Sequence, residues 1–231
     1  MTIELIPVSG IPEVHPGDDL AALIAEHAEL QNKDVVVVTQ KVVSKAENRL
    51  VAVDPSDPLS HKVHVEAEAV RILRRRGDLV MTETRHGFIC ANAGVDLSNV
   101  AEGWAALLPV DPDRSARWIR DRLRARTGLE LGIIVSDTFG RTWRRGVTDV
   151  AIGTAGVAGV IDLRGTTDAL GRELAVTEVC VADELAGAAE LVMGKSSGIP
   201  VAIVRGVDES WLRESSVRAE IVRPPNEDLF R

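Results

Sequence analysis

Apolar positions along this chain fall into short runs broken by polar turns, and several runs are continuous rather than alternating. Four consecutive valines at 35–38 and the apolar stretch at 131–135 predict strands buried on both faces, as in the interior of a sheet. Residues 3–8 predict a first strand, closed by Gly10 and Pro12. Pro16, Gly17, Asp18 and Asp19 form a turn and helix cap before a helix over about 20–30, whose Leu20, Leu23, Ile24 and Ala28 share one face. A loop at 54–58 precedes a helix expected over 63–76 and ended by Gly77; 79–82 and 87–90 then read as a hairpin around Arg85 and His86. Helices follow over 115–127, stopped by Gly128, and 182–193, with a strand at 201–204. Strands interleaved with helices, without a repeat or linker, predict an α/β chain of mixed α+β character. It is expected to be one unit over 1–231, compact and two-lobed, with mixed sheets.

Composition narrows this. The chain has 231 residues, 45% hydrophobic and 27% charged, an ordinary globular balance that excludes collagen-like or disordered classes. Its formal net charge of −8 argues against non-specific attraction to nucleic acid or an anionic membrane, so an anionic ligand needs local cations. The arginine-rich helix at 114–126 invites a nucleic-acid reading, but aromatics make up only 3% of the chain, and a solvated face is the plainer account. The first residues lack the basic start and apolar core of a signal peptide, and no apolar run approaches the ~18–20 residues of a membrane span. The expected location is the cytoplasm. Cys90 and Cys180 lie inside apolar stretches and read as reduced, buried thiols.

Candidate chemistry concentrates after the run at 131–135. Asp137 and Thr138 offer the hard oxygens that Mg²⁺ or Mn²⁺ accepts alongside substrate phosphate. Gly140 and Gly146 allow close backbone approach, and Arg141, Arg144 and Arg145 present forks matched to phosphate or carboxylate. A capped turn with solvated arginines is the alternative. Asp96 and Asn99, three apart, can aim at one ligand or simply form an Asx-turn. Two lysines and two hydroxyls gather at 39–47, after the valine run. The loop Met193, Gly194, Lys195, Ser196, Ser197, Gly198 and Ile199 superficially looks like a phosphate loop, but lacks that spacing and precedes its strand; a backbone nest is still open. His61, His64, Glu66 and Glu68 fit no standard zinc spacing, and no Gly-x-Ser-x-Gly elbow is present.

Taken in order, these segments and others spread over nearly the whole chain carry a resemblance. They include 7–12, Gly17 to Leu20, Ser44 to Glu47, Ala93 to Asp96 with Ser98 to Val100, Leu107 to Asp113, Asp137 to Gly146, Gly171 to Leu174, Val181 to Glu184 and Arg205 with Gly206. The sequence resembles the coenzyme F420-0:L-glutamate ligase family, the gamma-glutamyl ligases of deazaflavin coenzyme biosynthesis. The resemblance implies a GTP-dependent enzyme using Mg²⁺ or Mn²⁺, with K⁺ as a further ion. It activates the terminal carboxylate of F420-0 as an acyl phosphate, joins L-glutamate through an amide, and adds further gamma-linked glutamates. It also implies an intertwined homodimer with sites near the dimer interface, and no nucleic-acid or membrane partner.

Carried onto this chain, the resemblance makes Asp96 and Asp137 ligands of a first metal and Thr138 a ligand of a second. Gly10, Ile11, Pro12, Glu13, Gln40, Lys41, Lys45, Asn99 and the loop Met193 to Ile199 become nucleotide contacts. Lys195 stands where some members have a metal-binding side chain. No residue is singled out as the acceptor of the amine proton. A related amide ligase on another carboxylate, or a non-catalytic nucleotide-binding module, are the alternatives.

Overall fold

The computed structural model describes residues 2–228. In chain order its elements are β1 (Glu4–Val8), α1 (Leu20–His27), β2 (Val35–Thr39), α2 (Gln40–Ala46), β3 (Leu50–Ala52), α3 (Lys62–Glu68), β4 (Ala69–Arg76), β5 (Leu79–Thr84), β6 (Ile89–Ala91), β7 (Trp104–Ala106), α4 (Pro112–Thr127), β8 (Gly132–Gly140), β9 (Val147–Ala155), β10 (Ile161–Asp162), β11 (Glu178–Val179), α5 (Val181–Met193), β12 (Val201–Arg205) and α6 (Val217–Glu220).

The valine run lies where its composition predicts. Val35 to Val38 are wholly buried, because β2 is central in a five-stranded sheet ordered β1-β12-β2-β8-β9. Only β2 and β8 pair in parallel, Val35 facing Gly132; the other neighbours are antiparallel, so the sheet is mixed. Arg205 at the end of β12 holds Asp34 at the start of β2 through two hydrogen bonds of 2.8 Å, tying these neighbours by a fork on a carboxylate. Helix α4 packs on β8, β9 and α1, and α5 packs on β9, β12 and β1.

Three smaller antiparallel sheets, β3-β7, β4-β5-β6 and β10-β11, complete the mixed α/β fold. Val65, Val80, Ala93, Val95, Ala105 and Leu107 form a second, smaller apolar cluster.

Local signals explain the element that crosses the main sheet. Asp111 caps α4 by accepting the Arg114 N–H at 2.9 Å, Pro112 begins the helix, and Gly128 ends it at φ 71°. The N-terminus of α4 sits so close to β9 that a Cβ on Gly153 would lie 2.3 Å from the Pro112 carbonyl oxygen.

Three expectations are corrected, and one segment left without an element gains one. The segment 63–76 is not one helix: α3 stops at Glu68, and 69–76 form β4, where Val70 and Ile72 favour an extended chain and β5 supplies a partner ladder. The first helix ends at His27. The strand expected over 131–135 runs on to Gly140, because β9, which the sequence reading missed, pairs along its whole length. The polar stretch at 40–46 is a helix, α2. Among the described residues no helix is long and apolar enough to cross a membrane.

Candidate functional site

The carboxylates come together because β8 is longer than its apolar run and carries a bulge. The register shifts between Val135, opposite Gly153, and Ser136, opposite Ala151, so Ile152 is the extra residue. Beyond that step Asp137 lies opposite Val150, and Thr138 lies opposite Asp149. Side chains alternate along a strand, which puts Ser136 and Thr138 on one face of β8 and Asp137 on the other.

On the first of these faces Asp149 is the hub. It is 3% exposed and accepts Ser136 Oγ at 3.2 Å, Thr138 Oγ1 at 2.7 Å and Lys195 Nζ at 2.7 Å. Asp149 was missed in the sequence. Its only trace there is an acid inside the stretch 147–155, whose mix of small and β-branched residues is weakly periodic.

Asp137 is partly buried and accepts the Thr138 N–H at 2.8 Å. Burial, reinforced by the Asp96 and Asp149 carboxylates and only partly offset by that N–H and the Lys41 ammonium, pushes its carboxyl up to about 7. Asp96 is differently placed. It forms an ion pair with Lys41 at 2.7 Å and accepts the Ser98 N–H at 2.7 Å, closing an Asx-turn. Burial pushes this carboxyl up, but Lys41 and Ser98 outweigh it and hold Asp96 below the ordinary range. Lys41 also donates to Ser98 Oγ at 2.7 Å.

The two faces are bridged by Asn99, which has φ 52° and whose Nδ2 donates to the Lys195 carbonyl at 3.5 Å. The loop after α5 thereby meets the 96–99 turn. Gly194 (φ 61°) and Gly198 (φ 69°) bend this loop, with Lys195, Ser196 and Ser197 exposed between them. Met193 is core and Ile199 packs partly buried against it, while Ser197 Oγ bonds back to the Met193 carbonyl. On α2, Lys45 is nearly buried and paired with Glu13, so the 10–13 stretch (Gly10, Ile11, Pro12, Glu13) is joined to the helix. Gln40 is turned into the fold: its Nε2 donates to Ser44 Oγ at 2.6 Å and the Leu107 carbonyl at 3.0 Å.

Other candidates lie elsewhere or are occupied. Arg141, Arg144 and Arg145 are exposed in the turn joining β8 to β9, where Arg141 donates to the Arg145 carbonyl at 3.0 Å. Glu68 is shared by Arg49 and Arg85, Glu66 pairs with Arg75, and His64 bonds the Ala52 carbonyl, so the histidine–glutamate segment serves the small sheets. Cys90 and Cys180 are free thiols, both pushed up to about 12 chiefly by burial; Cys90 is buried and Cys180 half-buried. A cavity of about 380 Å³ is lined by Leu20, Val43, Glu47, Ser115 and Trp118 among others. Helical spacing puts Val43 and Glu47 on the side of α2 away from Lys41 and Lys45, so this cavity backs onto the site rather than forming it.

Among the described residues no three His, Cys, Asp or Glu side chains are arranged to hold a metal by themselves. The donor set nevertheless suits one hard cation completed by phosphate: the charge on Asp137 is disfavoured by burial and only partly offset, and Asp96 carries a carboxylate paired with the Lys41 ammonium. Thr138 Oγ1 is committed to Asp149 and Lys195.

Comparison with known proteins is consistent along the chain. A family model described as F420-0:Gamma-glutamyl ligase matches residues 10–206. The coenzyme F420:L-glutamate ligase of Methanopyrus kandleri is 44% identical over 247 residues, spanning 100% of this chain and 98% of the relative. Proteins of the same name from Methanothermobacter thermautotrophicus and Archaeoglobus fulgidus are 42% and 40% identical, each spanning 100% of this chain and 100% and 97% of the relative.

Proposed function

Because the chain belongs to the F420-0:gamma-glutamyl ligase family, we propose that it joins L-glutamate to F420-0 by spending GTP to activate the acceptor carboxylate at the Asp96–Asp137 site. The observation that carries the metal-phosphate part is the placement of the half-buried Asp137 carboxyl, on β8 one residue before Thr138, close enough to Asp96 and Asp149 for burial and their charges together to push it up. Such a group calls for a cation, and a triphosphate brings one.

In this reading Asp137 and Asp96 hold Mg²⁺ or Mn²⁺, which when bound neutralises phosphate oxygens as charge moves between them. Lys41 leaves Asp96 to meet phosphate, and Lys45 and Asn99 orient the nucleotide. Backbone N–H groups of the Gly194–Gly198 loop supply further donors. The acceptor carboxylate oxygen attacks the γ-phosphorus and GDP departs. The glutamate amine then attacks the acyl carbon, the C–O pair leaves with phosphate, and the amine gives up a proton as the amide forms.

An intertwined homodimer belongs to the same reading. It is supported by the β4–β5 hairpin, where Val70 is 68% exposed and Ile72, Leu73 and Leu79 are also uncovered. A cytoplasmic setting, where GTP is available, completes the proposal. The test is incubation with F420-0, L-glutamate and GTP or ATP, with Mg²⁺, Mn²⁺ and K⁺ varied, read by mass spectrometry. Glutamyl additions matched by GDP are expected. Additions to a different carboxylate alone would make it a related amide ligase, and nucleotide binding without turnover would make it a binding module.

A further inference from the structure

A cation already occupies one face of the site, and the chain supplies it. Lys195 Nζ donates to Thr138 Oγ1 at 2.5 Å and Asp149 Oδ1 at 2.7 Å, and lies 3.5 Å from Glu190 Oε1. An ammonium has three donors; two are bonded to oxygens of one pocket, and a second carboxylate, Glu190, lies within ion-pair distance. Two carboxylates and a hydroxyl are also the oxygen set that a divalent ion would accept. Asp149 is almost wholly buried, its second oxygen accepts Ser136 Oγ, and Lys195 is the cation within reach of its first. A buried charged group is costly to the fold without such a partner.

The lysine's backbone is also held in place. Gly194 caps α5 through its N–H on the Glu190 carbonyl at 2.8 Å, and Asn99 donates to the Lys195 carbonyl from the opposite face. Both α5, which carries Glu190, and the 96–99 turn therefore contribute to placing one ammonium. A divalent ion entering the Thr138–Asp149–Glu190 pocket would have to expel a positive charge seated on its ligands.

We propose that Lys195 is a positioning residue that acts as a tethered counter-cation, closing the Thr138–Asp149–Glu190 pocket to divalent ions so that the site takes a single one, at Asp96 and Asp137. The inference rests on the metal-phosphate reading above. It makes Thr138 a hydrogen-bonding residue of this chain and not a metal ligand.

The experiment is a titration of the full chain with Mn²⁺ alone, counting bound ions by electron paramagnetic resonance of the free ion. Wild type and Lys195→Arg, which keeps the charge, should each bind one Mn²⁺ per chain. Lys195→Met, which keeps length without charge, should bind two, and adding Asp149→Asn to it should return the count to one. Circular dichroism of each variant checks that the fold persists; Lys195 is half exposed and its removal leaves the core untouched. Two ions on wild type, or one on Lys195→Met, overturns this inference while leaving the ligase reading intact. No ion on any of the four overturns this inference together with the Asp96–Asp137 metal site on which it rests.

Discussion

Asp137 is a side chain that burial and neighbouring carboxylates make costly to the fold. Its carboxyl is pushed up from 3.8 to about 7, so the folded chain holds this proton over a pH range in which the unfolded chain has released it. Stability from this group is therefore full below about pH 4 and is lost as pH rises through about 7. Asp137→Asn should remove that dependence. Without divalent ions the variant should be more stable than wild type at pH 7.5, on the order of 2 kcal/mol, with little difference at pH 4. Thermal melts at the two pH values check this. Mn²⁺ should raise the melting temperature of wild type and barely move the variant, since an ion bound only by the folded state stabilises it. Turnover by Asp137→Asn should fall by about 100-fold or more, as expected when an ion that neutralises transferring phosphate is lost. Asp137 was readable in the sequence as an acid after a buried run. Its partner Asp149 was not, because its role depends on a cross-strand register that a bulge sets.

At the scale of elements, the parts legible in the sequence were those whose pattern reflects burial. The valine run of β2, the apolar start of β8, and helices α4 and α5 each carry an apolar surface that must be covered, and α4 adds a cap, a proline and a terminal glycine. Residues 69–76 carried no such signal. They are exposed along nearly the whole strand, so their mixed apolar and arginine pattern imitates one side of a helix while backbone pairing decides the outcome. The hairpin they form is expected to meet a second copy. Val70→Lys should shift the chain towards monomer, measured by light scattering after gel filtration, with the far-ultraviolet circular dichroism unchanged; an unaltered dimer would remove the hairpin from the interface. The contact between α4 and β9 is sharper. Gly153→Ala would place a methyl group against the Pro112 carbonyl and force the two elements apart, so a loss of about 2–3 kcal/mol is expected in urea unfolding. A loss below about 0.5 kcal/mol would mean that α4 can move away freely.

Across the whole molecule, the central sheet and the smaller sheets each bring part of the site. The main sheet supplies Asp137, Thr138 and Asp149 from its β8–β9 edge, α2 supplies Lys41 and Lys45, and the 96–99 turn, anchored to β7 by the pairing of Asp96 with Ala106, brings the second carboxylate. The ordered resemblance along the sequence located most of these segments without any knowledge of their contacts. What it could not provide was their division into two faces, one holding Asp96 and Asp137 and the other already filled by Lys195. The most direct test of the account is the ligase assay itself: purified chain, F420-0, L-glutamate, GTP and Mn²⁺, with products weighed by mass spectrometry and GDP quantified. The account predicts glutamyl-F420 and GDP in equal amounts for each residue added, both formed at least about 100-fold more slowly by Asp137→Asn. Glutamyl-F420 formed without GTP consumption, or at undiminished rate by Asp137→Asn, would contradict it.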